Sequence, residues 1–289
     1  MFIMDFIRIF MLRESYIQKY EIAIIDAYKE LIKKCQFSMF HSGDLLLCQQ
    51  NGNMLHGHTC IGPGKEGQNS FQQVNSLIDH GLAYITNDEG YFEKYGRQIC
   101  QDKSELPESI RAEMNSYQGI WENVYFLRTL TEVVRVANGE RYDWTLDMYN
   151  INTSKSNFIR DRIIKKLDVC PKFKEAIYIA YHTSMRNAVA HSQYHLIDKG
   201  IMFDNYNPNK PGDIQAIGFA DWEKCYTYSY FIFRGLFSVL WDLVNQLYLP
   251  LTKKTISGGV PILAYYEDGT WDQTYIYPDE TGRVWRFCK

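Results

Sequence analysis

Apolar residues recur at helical spacing through much of the first half of the chain. This spacing predicts one or two helices in residues 1 to about 37, and a further helix over residues 115–137 that Asn138 and Gly139 close as a C-cap. Between these helices, residues 41–70 lose the pattern and are rich in Gly and Asn. We therefore expect a loop there.

Helical patterns continue in the second half of the chain. Ser154 or Ser156 can cap a short basic helix, and Pro171 fits the first turn of the helix that follows. Asp221 can cap a long final helix that stops before Pro250.

Turn sequences between short apolar runs predict two small β structures. Lys199 and Gly200 indicate a hairpin. Near the C-terminus, Asp268-Gly269 and residues 279–282 separate strand-like runs, which predicts a three-stranded meander. The expected fold is therefore mostly α, a helical bundle with small antiparallel β additions.

The change from helical to strand-like patterns suggests three parts of the chain. We expect an N-terminal helical region with a Gly-rich loop over residues 1–105, and a helical domain over residues 106–250. A C-terminal three-stranded β segment would occupy residues 251–289.

Composition and charge narrow the classes of function. The 289 residues are 46% hydrophobic and 22% charged, which is typical of a globular protein. The formal net charge of −3 excludes a protein held on nucleic acid by its overall charge, so any nucleic-acid contact must use a local basic patch. The seven cysteines are widely spaced and form no C-x-x-C pair, which favours reduced thiols in the cytoplasm.

Two apolar stretches raise the question of a membrane segment. Residues 1–16 are interrupted by charged side chains, are too short to span a bilayer and precede no signal-cleavage site, so we expect a packed helix. Residues 228–249 contain Arg234 and Asp242 at helical spacing, which favours a buried core helix. We expect no membrane association.

Residues 184–196, "SMRNAVAHSQYHL", gather polar side chains on one edge of an amphipathic helix. Asn187, His191 and His195 follow one another at i, i+4 and i+8, and Arg186 lies one step round from Asn187. The residues expected to face the core are apolar or small: Tyr178, Tyr181, Met185, Ala188, Val189 and Ser192. The pattern alone leaves open whether Arg186 and His191 are structural residues or a site.

The hexapeptide "RNAVAH", Arg186 to His191, resembles the R-x-x-x-x-H signature of the HEPN superfamily. These small helical domains occur in bacterial toxins, abortive-infection proteins and CRISPR-associated nucleases. Asn187 occupies the position after the arginine that is often polar, and the helix order over residues 110 to 250 is compatible. The predicted domain 106–250 would then be HEPN-like.

The resemblance implies a metal-independent endoribonuclease that needs no cofactor, acting in phage defence or as a toxin. In such enzymes the RNA 2′-hydroxyl attacks the adjacent phosphorus. His191 would act as the base, Arg186 would stabilise the phosphorane charge, and Asn187 would orient the phosphate or the imidazole. A homodimer would form the cleft between two motif helices. The alternative is a non-catalytic HEPN-like module that binds nucleotide or RNA, or that acts as a scaffold.

A basic stretch precedes the motif and could follow an RNA backbone. Its basic residues are Lys155, Arg160, Arg162, Lys165, Lys166, Lys172 and Lys174. We expect Arg162, Lys165 and Lys166, together with His195, to contact RNA, although a solvated basic helix face remains open as the alternative.

The resemblance leaves open an antitoxin or another defence-system partner. Toxins of this superfamily that are silenced by nucleotidyltransferase antitoxins usually carry a tyrosine two residues after the histidine. That position is Gln193 here, and the tyrosine is Tyr194, which argues against this class of antitoxin.

Cys48, His56, His58 and Cys60 lie within the predicted Gly-rich loop and are chemically able to bind zinc. Their spacing matches no structural zinc pattern, so we expect a plain loop and no metal. A zinc-supported interaction protein built on this loop remains the third alternative.

Overall fold

The computed structural model describes part of the chain, which includes helices, strands and several connecting turns. The described residues are 15–35, 39–50, 60–61, 72–76, 106–146, 154–243, 259–265, 269–278 and 285–287. Within them the protein is mostly α-helical and has two small antiparallel sheets. The predicted fold class is therefore confirmed.

The described residues contain the following helices, in chain order. They are α1 (Ser15–Cys35), α2 (Met39–Gln50), α3 (Leu106–Glu122), α4 (Val124–Ala137), α5 (Lys155–Phe158), α6 (Pro171–Ala180), α7 (Thr183–Ala190) and α8 (Phe219–Leu243). The chain after α5 continues as a π-helical turn, Ile159–Ile163, and a 3-10 segment, Ile164–Val169. Residues 72–76 form a further short helical segment.

The strands form two separate antiparallel sheets. They are β1 (Cys60–Ile61), β2 (Tyr194–Ile197), β3 (Gly200–Phe203), β4 (Ala216–Gly218), β5 (Val260–Tyr265), β6 (Trp271–Pro278) and β7 (Trp285–Phe287). One sheet has the order β2-β3-β4 and the other β1-β7-β6-β5. The hairpin at Lys199-Gly200 and the C-terminal meander are both confirmed, and β1 adds a fourth strand to the meander.

The described residues pack as two compact units. The first takes its residues from the ranges Met1–Asp26, Asn75–Trp121 and Glu175–Ile232, and the second from Ala27–Val74, Glu122–Lys174 and Phe233–Lys289. The predicted boundaries near residues 105 and 250 lie outside the described residues. The division into three parts therefore stays a prediction.

Aromatic side chains and a buried hydroxyl organise the core of the first unit. Trp121 Nε1 donates a hydrogen bond to Ser229 Oγ at 3.0 Å, and Ser229 Oγ donates to the Ala180 carbonyl at 2.9 Å. The Tyr117 and Trp222 rings meet edge to face with their centroids 5.4 Å apart. These contacts satisfy buried polar groups while the rings fill the core.

The second unit packs α2 and α4 with strand β5 and the end of α8. Phe126 of α4 meets Phe233 of α8 edge to face, with centroids 5.2 Å apart. Gly43 of α2 lies so close to β5 that a Cβ atom there would be 2.3 Å from the Pro261 carbonyl oxygen. Only glycine permits this approach of the two backbones.

One predicted helix is divided in the structure. The helix expected over residues 115–137 is divided at Asn123, whose side chain accepts a hydrogen bond from Phe126 N at 2.8 Å and so caps α4. At the C-terminal end, Asn138 caps α4 and Gly139 has a φ of +77°, as predicted. Apolar spacing continues across residues 115–137, so it did not indicate the break at Asn123.

The prediction of a loop over residues 41–70 is wrong for residues 41–50. Residues up to Gln50 belong to α2, where Leu45, Leu46 and Leu47 are fully buried. Tertiary burial of this apolar run overrides the low helix propensity of the Gly and Asp before it. Within the rest of the predicted loop, only residues 60 and 61 are described, and they form β1.

Two predicted caps have different outcomes. Ser154 caps α5, because its hydroxyl accepts a hydrogen bond from Asn157 N at 3.3 Å. Asp221 lies inside the first turn of α8, which begins at Phe219, and so does not occupy the cap position.

No helix among the described residues is long and apolar enough to cross a membrane.

Candidate functional site

The motif residues lie on a short helix that begins later than the sequence suggests. The helix expected to continue from Pro171 breaks after Ala180, and α7 starts at Thr183 with His182 in the N-cap position. His182 N donates to the Tyr117 hydroxyl at 3.3 Å, and the His182 carbonyl accepts from Arg186 N at 3.0 Å. These bonds fix the turn on which Arg186 lies.

Arg186 and Asn187 form a hydrogen-bonded pair at the centre of the motif. Arg186 Nη1 donates to Asn187 Oδ1 at 2.7 Å, and both side chains are half-buried. The Asn187 carbonyl in turn accepts from His191 N at 3.1 Å. The pair therefore presents a guanidinium of restricted orientation within one helical turn of His191.

His191 is the C-cap of α7 and its side chain is exposed. Gln193 N donates to the Ala188 carbonyl at 2.8 Å, Ser192 N donates to the Val189 carbonyl at 3.2 Å, and Ser192 has a φ of +53°. This is the hydrogen-bond pattern of a Schellman motif with serine where glycine is usual. The imidazole is thus accessible at the end of the helix.

The prediction that His195 continues the polar edge of the motif helix is wrong. Because α7 ends at Ala190, His195 lies on β2, where its Nδ1 is 2.9 Å from Asp204 Oδ1. The predicted core face is also wrong at two positions. Tyr178 is 53% exposed and Ser192 is exposed, whereas Tyr181, Met185, Ala188 and Val189 are buried as expected.

Two residues near the motif were not predicted from the sequence. Burial lowers the pKa of the half-buried His182 imidazole. Burial raises the pKa of the Tyr117 hydroxyl well above its usual value, while the positive charge of Arg186 acts to lower it. Tyr117 is more than 60 residues before the motif, so only the fold could reveal this neighbour. For His182, the polar residues at 182–184 were a signal in the sequence of the helix break.

Another unpredicted group is Glu113, one helical turn before Tyr117 on α3. Trp222 Nε1 donates to Glu113 Oε2 at 2.7 Å. Burial raises the pKa of this carboxyl to about 7, and the Trp222 hydrogen bond partly opposes the rise. The first unit therefore contains a carboxyl that can exchange its proton near neutral pH.

The connection between β3 and β4 is tied to the motif helix. Asn205 Nδ2 donates to the Ser184 carbonyl at 2.8 Å, and Ile214 N donates to the Ser184 hydroxyl at 3.3 Å. Ser184 is buried in the first turn of α7. These bonds hold the start of the motif helix against the small sheet that follows it.

The predicted RNA-contacting residues of the basic stretch lie in the second unit, whereas the motif lies in the first. Lys165 pairs with Asp161 at 2.8 Å and Lys166 pairs with Glu140 at 2.7 Å, while Arg162 is exposed. Salt bridges neutralise part of the positive charge that the sequence indicates. Their contact with RNA stays a prediction.

The proposed zinc ligands are only partly within the described residues. Cys48 is buried in α2, and burial raises the pKa of its thiol well above the usual value, which disfavours the thiolate that zinc requires. His56 and His58 lie outside the described residues, as does the side chain of Cys60. Among the residues that are described, no group of three or more His, Cys, Asp or Glu side chains could hold a metal.

Comparisons with protein-family models, with curated proteins and with the solved structures of other proteins find no match to this chain.

Proposed function

We propose that the protein is a metal-independent endoribonuclease of the HEPN type, acting in phage defence or as a toxin. The observation that carries this proposal is the arrangement of α7. Arg186 is hydrogen-bonded to Asn187, and the exposed His191 lies one helical turn from Asn187. A cation of fixed orientation and an accessible imidazole are the two groups that 2′-hydroxyl attack on a phosphodiester requires.

Each group has one role in the proposed reaction. His191 accepts the proton of the RNA 2′-hydroxyl as its oxygen attacks the adjacent phosphorus, and the bond to the 5′-oxygen of the next nucleotide breaks. Arg186 stabilises the negative charge on the phosphorane oxygens. Asn187 holds the guanidinium in place through its Oδ1 atom. The products are a 2′,3′-cyclic phosphate and a 5′-hydroxyl.

The leaving 5′-oxygen needs a proton, and the proposed source is an imidazole N–H of His191 on the motif helix of a second protomer in a homodimer. An exposed His191 at the end of α7 is accessible to such a partner. Mixing tests this arrangement: excess His191→Ala protein added to the wild type should lower the rate as mixed dimers form. A rate that stays unchanged would contradict the composite cleft.

Cleavage of mixed RNA in EDTA tests the activity itself. We expect cleavage by the wild type and loss of at least 100-fold in rate for Arg186→Ala and His191→Ala. The control is Asp198→Asn, which changes an exposed side chain in the turn between β2 and β3 and should leave the rate within about twofold. Absence of cleavage, or cleavage that both motif variants retain, would refute the proposal.

A non-catalytic module is the second candidate. The Arg186–Asn187 hydrogen bond favours it, because this bond gives the half-buried arginine a structural role. It predicts that His191→Ala folds normally and leaves RNA intact, but changes nucleotide binding or assembly. RNA binding by the uncleaving wild type, measured by fluorescence anisotropy, would support this alternative.

A further inference from the structure

A buried arginine in the second unit has no role in the proposed ribonuclease site. Arg128 of α4 is only 9% exposed. A guanidinium does not lose its proton in a protein, so it remains charged where it is buried. A buried charge is strongly unfavourable unless hydrogen-bond acceptors, and normally an anion, compensate it.

Two nitrogens of Arg128, Nε and Nη2, are buried and have no hydrogen-bond partner in the part of the chain that the structure describes. These two atoms form the side edge of the guanidinium, whose parallel N–H groups match the two oxygens of a carboxylate or phosphate. Arg141 uses the same two atoms to bind Asp44. Arg160 uses them to bind Asp161, at 3.0 and 2.8 Å.

The acidic residue one helical turn after Arg128 makes no hydrogen bond to these two nitrogens. Glu132 is fully buried, and burial raises its pKa to about 8, against the lowering effects of the Asp143 N–H and of Arg135 and Arg128. Its Oε2 accepts from Asp143 N at 2.9 Å. Its Oε1 has no hydrogen-bond partner among the described residues.

Two tyrosines also interact electrostatically with Arg128. Burial raises the pKa of both Tyr125 and Tyr142, and the Arg128 charge only partly opposes this, so both hydroxyls stay neutral. The Tyr125 hydroxyl donates to the Gln49 carbonyl at 3.3 Å. Within the described part of the chain, the guanidinium therefore keeps a bidentate edge that no hydrogen-bond acceptor occupies.

We propose that Arg128 and Glu132 form a binding site for a single oxyanion, a carboxylate or a phosphate group. The side edge of Arg128 donates two parallel hydrogen bonds to the anion. The carboxyl of Glu132, at i+4 on the same helix face, donates a third through its proton. The site belongs to the second unit and does not depend on the motif of α7.

Thermal unfolding of the full chain at pH 7 tests this site. The probes are inorganic phosphate and sodium acetate, with sodium chloride at the same ionic strength as the reference. Above the half-saturating concentration of the preferred oxyanion, we expect the Tm to rise with the logarithm of the oxyanion concentration. The reason is that a ligand that binds the folded state stabilises that state by mass action. Comparison of the phosphate titration with the acetate titration distinguishes a phosphate ligand from a carboxylate ligand.

Variants separate specific binding from the general salt effect of phosphate. Arg128→Met should abolish the response beyond that of chloride, and Arg128→Lys, which keeps the charge but loses the side edge, should weaken the affinity at least tenfold. The control is Arg160→Met, which removes an exposed arginine and should leave the response unchanged. Equal wild-type responses in all three salts would overturn the proposal, as would a full response in Arg128→Met.

The Glu132→Gln variant keeps the proposal testable if Arg128→Met does not fold. Glutamine retains a hydrogen-bond donor at every pH, so this variant should respond to the oxyanion equally at pH 7 and pH 9. The wild type should lose at least tenfold in affinity at pH 9, where Glu132 is ionised. The same response of both proteins at pH 9 would show that Glu132 takes no part in the site.

Discussion

Glu132→Gln should make the protein more stable at neutral and alkaline pH. Glu132 is fully buried, and its pKa rises from 4.5 to about 8 because burial disfavours the ionised carboxylate. Between these two values the folded protein holds a proton that the unfolded chain has released. The free energy of unfolding therefore falls as the pH rises through this window.

The size of the effect follows from the difference between the two pKa values. The stability that the protonated Glu132 gives the folded state is fully present below about pH 4.5. It is lost as the pH rises towards about 8. At about 1.4 kcal/mol per pKa unit, the loss is about 3 kcal/mol near pH 7 and about 5 kcal/mol above pH 8. Glutamine cannot ionise, and its amide oxygen can still accept from Asp143 N, so the variant avoids this loss.

Urea unfolding followed by far-ultraviolet circular dichroism from pH 5 to pH 9 measures the difference. The stability curves of wild type and variant should lie together near pH 5 and separate steadily above it. The control is Glu140→Gln, which changes a partly exposed carboxyl paired with Lys166 and should cost no more than about 1 kcal/mol at any of these pH values. Parallel curves for wild type and Glu132→Gln would refute the reasoning.

Further predictions concern backbone conformation and an ion pair. Ser192→Gly should stabilise the protein by about 1 kcal/mol, because glycine removes the strain of a φ of +53°, and Ser192→Ala should not; thermal unfolding of both variants checks this. Gly43→Ala should destabilise the protein by about 3 kcal/mol or more, because the new Cβ would lie 2.3 Å from the Pro261 carbonyl oxygen; an unchanged urea midpoint would contradict this contact. Asp44→Asn should cost about 2 kcal/mol, because Asp44 is buried in its ion pair with Arg141, and Arg141→Met combined with it should recover part of the loss in a double-mutant cycle.

Local signals in the sequence predicted much of the secondary structure. Apolar spacing indicated α1, and Ser154, Gly139 and the turn at Lys199-Gly200 marked element ends through the conformations that these residue types favour. Asn123 and α2 were missed for two different reasons. The cap at Asn123 interrupts apolar spacing that is otherwise continuous, and α2 is helical because its leucines are buried, which depends on distant residues.

The candidate site was predictable only in part. Spacing within one helical turn placed Asn187 and His191 together, and the hydrogen bond between the Asn187 carbonyl and His191 N agrees with this. The end of α7 was not predictable, because serine at position 192 gives no signal of a left-handed conformation, and the error moved His195 from a helix to a strand. The contact of Tyr117 with His182 depends on tertiary packing across 65 residues.

The two halves of the motif differ in how firmly the protein holds them, and this difference bears on the proposed reaction. Arg186 and Asn187 are half-buried and hydrogen-bonded to each other, which suits a group that must be oriented before negative charge develops. His191 is exposed at the end of a helix, which suits proton exchange but leaves the imidazole in water. Charge stabilisation is strongest where water is excluded. The proposed second protomer is therefore needed for two reasons, because it would cover this exposed histidine and supply the proton for the leaving oxygen.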